Sequence, residues 1–560
     1  MHGLNLSIIP EIANGTPVLT ADTALDGTRN LLPLEDDSSI FGAGKDPMEL
    51  RKLMRKLSAR ISRETFRPDE ANTNIPSGYT YLLQFIAHDM VNTSISLAAT
   101  NGRRFGFQNA RQQPLTLETI YGGGPDVTPQ AYEFTHACTQ SLGPMPRTRL
   151  RCGRARDPSG STKGTPFADV GRSVPVDVAD DAIGGAFLRT EALVADARNE
   201  DQALIAQLTR LFHKMHNFIL EQIEGNKYSG TVPDAYRNFI SARYLLTLIY
   251  RRIVLQDVLR RLLDPSVVRY YLNEEKPLVA NDGSGAIPVE FSNGAFRCGH
   301  AMIRNTYRVN SPEELEAGRA LQICSRRSPG FVPLPEEWIV EWDRFFEINL
   351  PAVTPNYSRP LRPNFSPVAR SEFFFAPLIP RGRDQGDAPG LPNRDLVSSV
   401  YARMWSVPKL IDALRAKSAD IAAFLPAYGA SAQRLATWLN ATGDEKGISE
   451  QFGPGDVSAI ADDPPLPFYV LYEAAVCNDG QRLGPLGSII VAETIIAAMQ
   501  TYPLSVEKLT LDPKRGFKSQ TNPLGRLGIT ETALAKIPEI ETFDDLLLFL
   551  QSAGLLANDR

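Results

Sequence analysis

"YLLQFIAHDM", residues 81–90, sets a histidine and an aspartate into an otherwise apolar run. His88 is one of only six histidines in 560 residues, and its neighbours include Leu82, Leu83, Phe85, Ile86 and Met90. The stretch follows a turn, "IPSG", and reads as an apolar, helix-like segment. Two readings compete. A buried histidine can be a core residue satisfied by a backbone carbonyl. It can also be a catalytic base kept dry, where its proton is controlled.

Working outward, the clearest helix is "EDQALIAQLTRLFHKMHNFILEQI", residues 200–223. Leu204, Ile205, Leu208, Leu211, Phe212, Met215, Phe218 and Ile219 recur at three- and four-residue spacing and make one apolar stripe. Acidic residues open it, at the positive end of the helix dipole. A second long helical region runs from about Pro233 to Leu263, and helical periodicity returns from about residue 485. "MELRKLMRKLSARISR" reads as a helix with a solvated face. Residues 101–185, rich in Gly, Pro, Arg and Thr, read as long loops with short elements. Twelve prolines between Pro329 and Pro392 make that region irregular, apart from a helix suggested by "PEEWIVEWDRFFEI". The expected fold class is mostly α, a helical enzyme with long loops.

Composition sets the outer limits. Hydrophobic residues are 43% and charged residues 22%, as in ordinary globular proteins. A net charge of -5 argues against nonspecific binding to nucleic acid or to an anionic membrane. No apolar run reaches the roughly 18 residues a membrane span needs. The N-terminal stretch lacks a basic region followed by an apolar core, so no standard signal peptide is expected. The expected location is therefore cytoplasmic, or outside the cell by another route. The five cysteines form no CxxC pair, so neither a zinc ribbon nor a disulfide framework is indicated.

Three histidine neighbourhoods could carry chemistry: His88-Asp89; "ADARNEDQ" with Arg198, together with "HKMHN" in the following helix; and "FSNGAFRCGHAMIRNTYRV" with His300. Such a set suits a non-haem metal site, a phosphotransfer site or a haem site. His213 and His216 stand three apart on a helix, but no carboxylate is evident to complete a metal site, and they are read as structural. A haem site needs one imidazole as iron ligand and a second as proton shuttle, with an arginine to stabilise developing charge. His88, Arg198 and His300 supply those residue types.

Five segments in order resemble the peroxidase-cyclooxygenase superfamily, the animal haem peroxidases, and in particular its bacterial members. They are "LLQFIAHDM", "DARNEDQALIAQLTRLFHKMHN", "AFRCGHAMIRNTYRV", "IPRGRDQG" and "LPFYVLYEAAVCNDGQRLGPLGSIIVAE". The resemblance runs from about residue 80 to 510. It implies domains at 1–70 (N-terminal extension), 71–510 (catalytic) and 511–560 (C-terminal helical extension). It implies His88 as distal acid-base, Arg198 as distal arginine, Gln84 as a pocket residue and His300 as iron ligand. Arg297 and Arg381 match arginines that hold the haem propionates. Asp89 matches a residue that helps to bind calcium. Thr116 stands where a calcium-ligating aspartate is usual, with Glu118 as a substitute nearby. "TPFAD", with Thr165, Phe167 and Asp169, is an alternative calcium loop.

Departures from the pattern qualify the chemistry. Ala87 removes one of the two haem esters of mammalian members, and Asp201 is one methylene shorter than the glutamate that makes the other. Gln202 replaces a methionine, and Leu378 is read at the place of an asparagine that holds the proximal histidine. The implied cofactor is therefore noncovalent haem b, with calcium as a second candidate. The implied activity is peroxide-driven oxidation of phenols, aromatic amines, halides or thiocyanate, in a response to oxidative stress. The alternatives are a fatty-acid dioxygenase and a haem-binding protein with little turnover. Arg297 stands where the oxygenases carry a radical-forming tyrosine, and Tyr307 is the nearest substitute.

Overall fold

The computed structural model describes residues 11–13, 16–18, 28–61, 71–92, 109, 111, 113–134, 146–174, 176–180, 185–225, 232–274, 286–325, 331–371, 390–441, 452–501, 535–537 and 539–556. The fold is mostly α-helical, and the described strands are short and pair only two by two.

Helix α1 (Pro47–Ile61) turns Leu50, Met54 and Leu57 inward. Helix α2 (Gly78–Met90) carries His88. Its first residue must be glycine, because a Cβ there would collide with the Phe346 ring and the Phe345 carbonyl. Eleven of its thirteen residues are buried, so α2 runs through the interior with no solvated face. One-turn helix α3 (Glu118–Tyr121) lies beside it.

Helix α4 (Ala203–Glu224) forms where the apolar stripe predicted it, after a 3-10 turn at Ala197–Glu200. Phe85 of α2 stacks on Phe212 of α4 with ring centroids 4.5 Å apart, a contact worth about 0.5–1.5 kcal/mol beyond its buried area. Helix α5 (Val232–Ile253) packs on α4 and runs into a π-turn at Val254–Val258 and a last turn at Leu259–Leu262. The long helical region expected to Leu263 is thus present, with a π-turn inside it.

Helices α6 (Leu391–Tyr401), α7 (Leu466–Asn478), α8 (Pro485–Thr501) and α9 (Phe543–Ser552) complete the core. Residues of α1 and α9 belong to the same apolar cluster as α2 and α4. Phe543 reaches both Phe212 and Phe346.

"PEEWIVEWDRFFEI" is not an α-helix. It makes two 3-10 turns, Glu336–Trp338 and Trp342–Arg344. Gln207 of α4 explains this: its Nε2 donates to the Trp338 carbonyl and its Oε1 accepts the Val340 amide, at 2.7 and 2.8 Å. Backbone groups that a helix would pair internally go to that side chain instead. Trp338, Trp342, Phe345 and Phe346 are then free to bury in different directions.

Candidate active site

The distal cluster starts from His88, which is 8% exposed. Its Nδ1 lies 2.9 Å from Asn199 Oδ1. The Asn199 amide nitrogen donates to the Thr119 carbonyl and hydroxyl, at 3.1 and 3.0 Å. Those two bonds fix which Asn199 atom is oxygen, so it accepts and His88 Nδ1 must carry the proton. Nε2 is left as the acceptor, the tautomer a base requires. Burial, with the Arg198 charge beside it, pushes the imidazole down to about pKa 3, so it stays neutral.

Arg198 sits on the 3-10 turn, oriented by Asp196. Its Nε donates to Asp196 Oδ1 at 3.0 Å and its Nη2 to Oδ2 at 2.6 Å. Nη1 donates to the Val91 carbonyl and Nη2 also to the His88 carbonyl, at 2.7 and 2.9 Å. A guanidinium has five N–H donors. These bonds use four, and among the described residues one Nη1 hydrogen remains for an anionic or peroxide oxygen. Burial alone would raise the Asp196 carboxyl, but Arg198 and Arg111 overcome it and hold the group well below the usual carboxylate range.

Gln84, one turn before His88, is oriented from α4. Gln202 caps that helix by accepting the Leu204 and Ile205 amides on Oε1, so its Nε2 donates to Gln84 Oε1 at 3.1 Å. Gln84 Nε2 is thereby left as a donor. The replacement of methionine by Gln202 has this structural consequence. Asp201 lies in the same turn, its amide bonded to the Arg198 carbonyl.

The proximal cluster is built on the 3-10 segment Ala295–Met302, which packs against α2 and α6. His300 Nδ1 meets Asp395 Oδ2 at 2.6 Å. A carboxylate there fixes the tautomer, leaves Nε2 for a metal, and strengthens that nitrogen as an electron donor to it. Arg297 donates from Nε to the Ser292 carbonyl at 2.8 Å, and its Nη1 lies 3.6 Å from Asp395 Oδ1. The His300 side chain keeps 28% of its surface exposed, although Ala295, Cys298, Ala301 and Met302 around it are buried. Buried Asp395 Oδ1 has no hydrogen-bond partner among the described residues. Two imidazoles on adjacent segments, each held through Nδ1 with Nε2 left over, fit a haem.

The proximal partner is therefore Asp395 on α6, which the sequence reading missed. Leu378, read at that place, lies outside the described residues, as does Arg381. Asn199, Asp196 and Arg111 are further site residues that were missed. The first two stand inside "DARNE", so the motif held the signal.

The calcium candidates have other partners. Asp89 accepts the Leu117 and Thr119 amides at 3.0 and 3.1 Å, and burial pushes its carboxyl up to about 6. Glu118 accepts the Gln113 amide and lies 3.4 Å from Arg111 Nη1. The Thr116 hydroxyl donates to the Gln113 carbonyl. Among the described residues no group of three metal-ligating side chains is assembled. His213 and His216 are buried and bonded to the Arg151 carbonyl and to Tyr121 and Thr148, as their structural reading expects.

Residues 186–329 match the family described as animal haem peroxidase. This segment, which holds Arg198 and His300, is similar to that family. Members of the animal haem peroxidase family bind haem. No curated protein matches the chain. Among solved structures it is similar to a fatty acid alpha-dioxygenase of Oryza sativa with palmitic acid, at TM-score 0.52 and 11% identity, over 92% of this chain and 81% of that one. It is also similar to Peroxidase A of Dictyostelium discoideum, at TM-score 0.45 and 11% identity, over 86% of this chain and 89% of that one. The likeness to the rice enzyme is one of fold. Among the described residues no helix is long and apolar enough to cross a membrane.

Proposed function

We propose that the chain is a haem peroxidase that uses hydrogen peroxide to oxidise small donors such as phenols and aromatic amines. The observation that carries this reading is the locked tautomer of His88, a neutral base with Nε2 unprotonated, tied through its own carbonyl to Arg198. Haem, when bound, supplies the iron that takes electrons from the donor and passes them to peroxide. His300 would hold it through Nε2, and Asp395 would keep that nitrogen electron-rich. His88 takes the proton from the near oxygen of peroxide and returns it to the leaving oxygen, so that water departs rather than hydroxide. Arg198 directs its remaining Nη1 hydrogen at the charge that develops, and Gln84 Nε2 donates to the peroxide or a small anion. Arg297 and Arg381 supply the positive charge for the propionates.

Haem is held without covalent bonds. Ala87 has no carboxyl, and the Asp201 side chain is one methylene shorter than the usual ester-forming glutamate.

The fatty-acid reading needs an oxidisable side chain at the place of Arg297, and a guanidinium is none. Tyr307 is buried against Phe345 and Tyr81, with its hydroxyl taking the Arg304 amide. The test is to load the purified chain with haem and follow a phenol with peroxide, and oxygen uptake with palmitate or linoleate. Phenol turnover without oxygen uptake is expected. Oxygen uptake that disappears in Tyr307→Phe would make the oxygenase reading correct.

A further inference from the structure

Both places where calcium is expected are packed with arginine. At the first, Arg111 is 6% exposed. Its Nε and Nη2 donate to the His88 carbonyl at 3.1 and 2.6 Å, and Nη2 also to Asp196 Oδ2 at 2.6 Å. Its Nη1 lies 3.4 Å from Glu118 Oε1. A carbonyl and two carboxylates converging on one centre are the oxygen set of a hard cation, but a guanidinium occupies that centre. Asp89 has both oxygens on the amides that flank the start of α3. It cannot leave cheaply, because Leu115 and Leu117 in that loop hold left-handed φ of 57° and 58°. Such strain persists only where surrounding bonds enforce it, here those of Asp89 and of Arg251 to the Leu115 carbonyl.

The second place repeats the pattern. Asp169 is 1% exposed and takes Arg172 through Nε and Nη2 at 2.7 and 3.1 Å, with the Val170 and Leu334 amides. Arg172 also reaches Glu200 at 2.9 Å. The Phe167 carbonyl accepts from Arg210. The Thr165 hydroxyl is spent on the Ala155 and Thr162 carbonyls.

Charge balance points the same way. Arg111, Arg198 and Arg251 already answer Asp196, Glu118 and Asp89 one for one, so a divalent ion added there would place unbalanced positive charge beside the neutral His88. We propose that guanidinium groups replace calcium at both places. Arg111 is then the positioning residue for the distal histidine: it grips the His88 carbonyl and ties it to the carboxylate that orients Arg198. The chain neither holds nor needs calcium there. The positioning role rests on the peroxidase reading; the exclusion of calcium does not.

The haem-loaded chain is dialysed against millimolar calcium chloride or against EGTA, then assayed for bound calcium and melting temperature. No stoichiometric calcium and equal melting temperatures are expected. One calcium per chain, or a rise of several degrees in calcium, overturns the exclusion. Such a rise is what a site filled at about a hundredfold excess over its Kd would give. This arm needs no peroxidase activity, so its failure is separate from failure of the catalytic reading. In haem-loaded Arg111→Met, cyanide association, which needs the distal base, slows by about tenfold, since a misplacement of about 1 Å can cost 10²-fold. A wild-type cyanide rate in a folded Arg111→Met protein overturns the positioning role, and the calcium measurement on the wild type stands even if that variant does not fold.

Discussion

Asp395→Asn isolates the proximal charge. The side chain keeps its size, and the amide oxygen still accepts from His300 Nδ1, where the carboxylate does so at 2.6 Å. Only the negative charge is lost. A hydrogen bond to a charged acceptor is worth about 1.5–3 kcal/mol against about 0.5–1.5 kcal/mol for a neutral pair. His300 is partly exposed, and solvent screening trims the difference to about 1 kcal/mol. At about 59 mV per 1.4 kcal/mol for one electron, this corresponds to about 40 mV. The sign follows from the chemistry: a less basic imidazole favours ferrous over ferric iron, so the reduction potential rises. A spectroelectrochemical titration of haem-loaded wild type and variant reads the change. An unchanged or lowered potential, with the haem still histidine-ligated, would refute the role given to Asp395.

Asn199→Ala frees the His88 ring and slows the reaction with peroxide by about tenfold or more, part of the 10²–10⁴ that a positioned base supplies. Stopped-flow absorbance reads it, and an unchanged rate would count against the tautomer lock. The folded-state pKa of His88, held near 3 against about 6.5 in a free histidine, keeps the base unprotonated well into acid. The rate with peroxide should therefore stay level from pH 7 down to about 4.5, and a midpoint near 6.5 would contradict the burial argument. Acid-acetone extraction should strip the haem, and retention of most of it on the protein would show that Asp201 does form an ester.

Much of the distal site was legible because its residues lie in short contiguous motifs. The stripe of α4 carries a 3.6-residue period, α2 is a largely apolar run, and His88, Arg198 and His300 stand out through their neighbours. Asp395 was not legible in that way. It lies 95 residues from His300, beyond a proline-rich stretch, and only the approach of α6 to the His300 segment pairs them. "PEEWIVEWDRFFEI" misled because its apolar spacing suits a helix as well as successive turns. The choice was made by Gln207, more than a hundred residues away. The arginines beside the calcium candidates were not legible for a related reason: a carboxylate in a motif does not reveal its counter-ion, and Arg111 stood in a stretch read only as loop.

In the proposed reaction His88 is the base that moves the peroxide proton. Stopped-flow mixing of haem-loaded His88→Ala with hydrogen peroxide, alongside wild type of equal haem content, tests it most directly. A rate constant lower by about 10²–10⁴ is expected, with the His300-ligated spectrum preserved. A rate close to that of the wild type would contradict it.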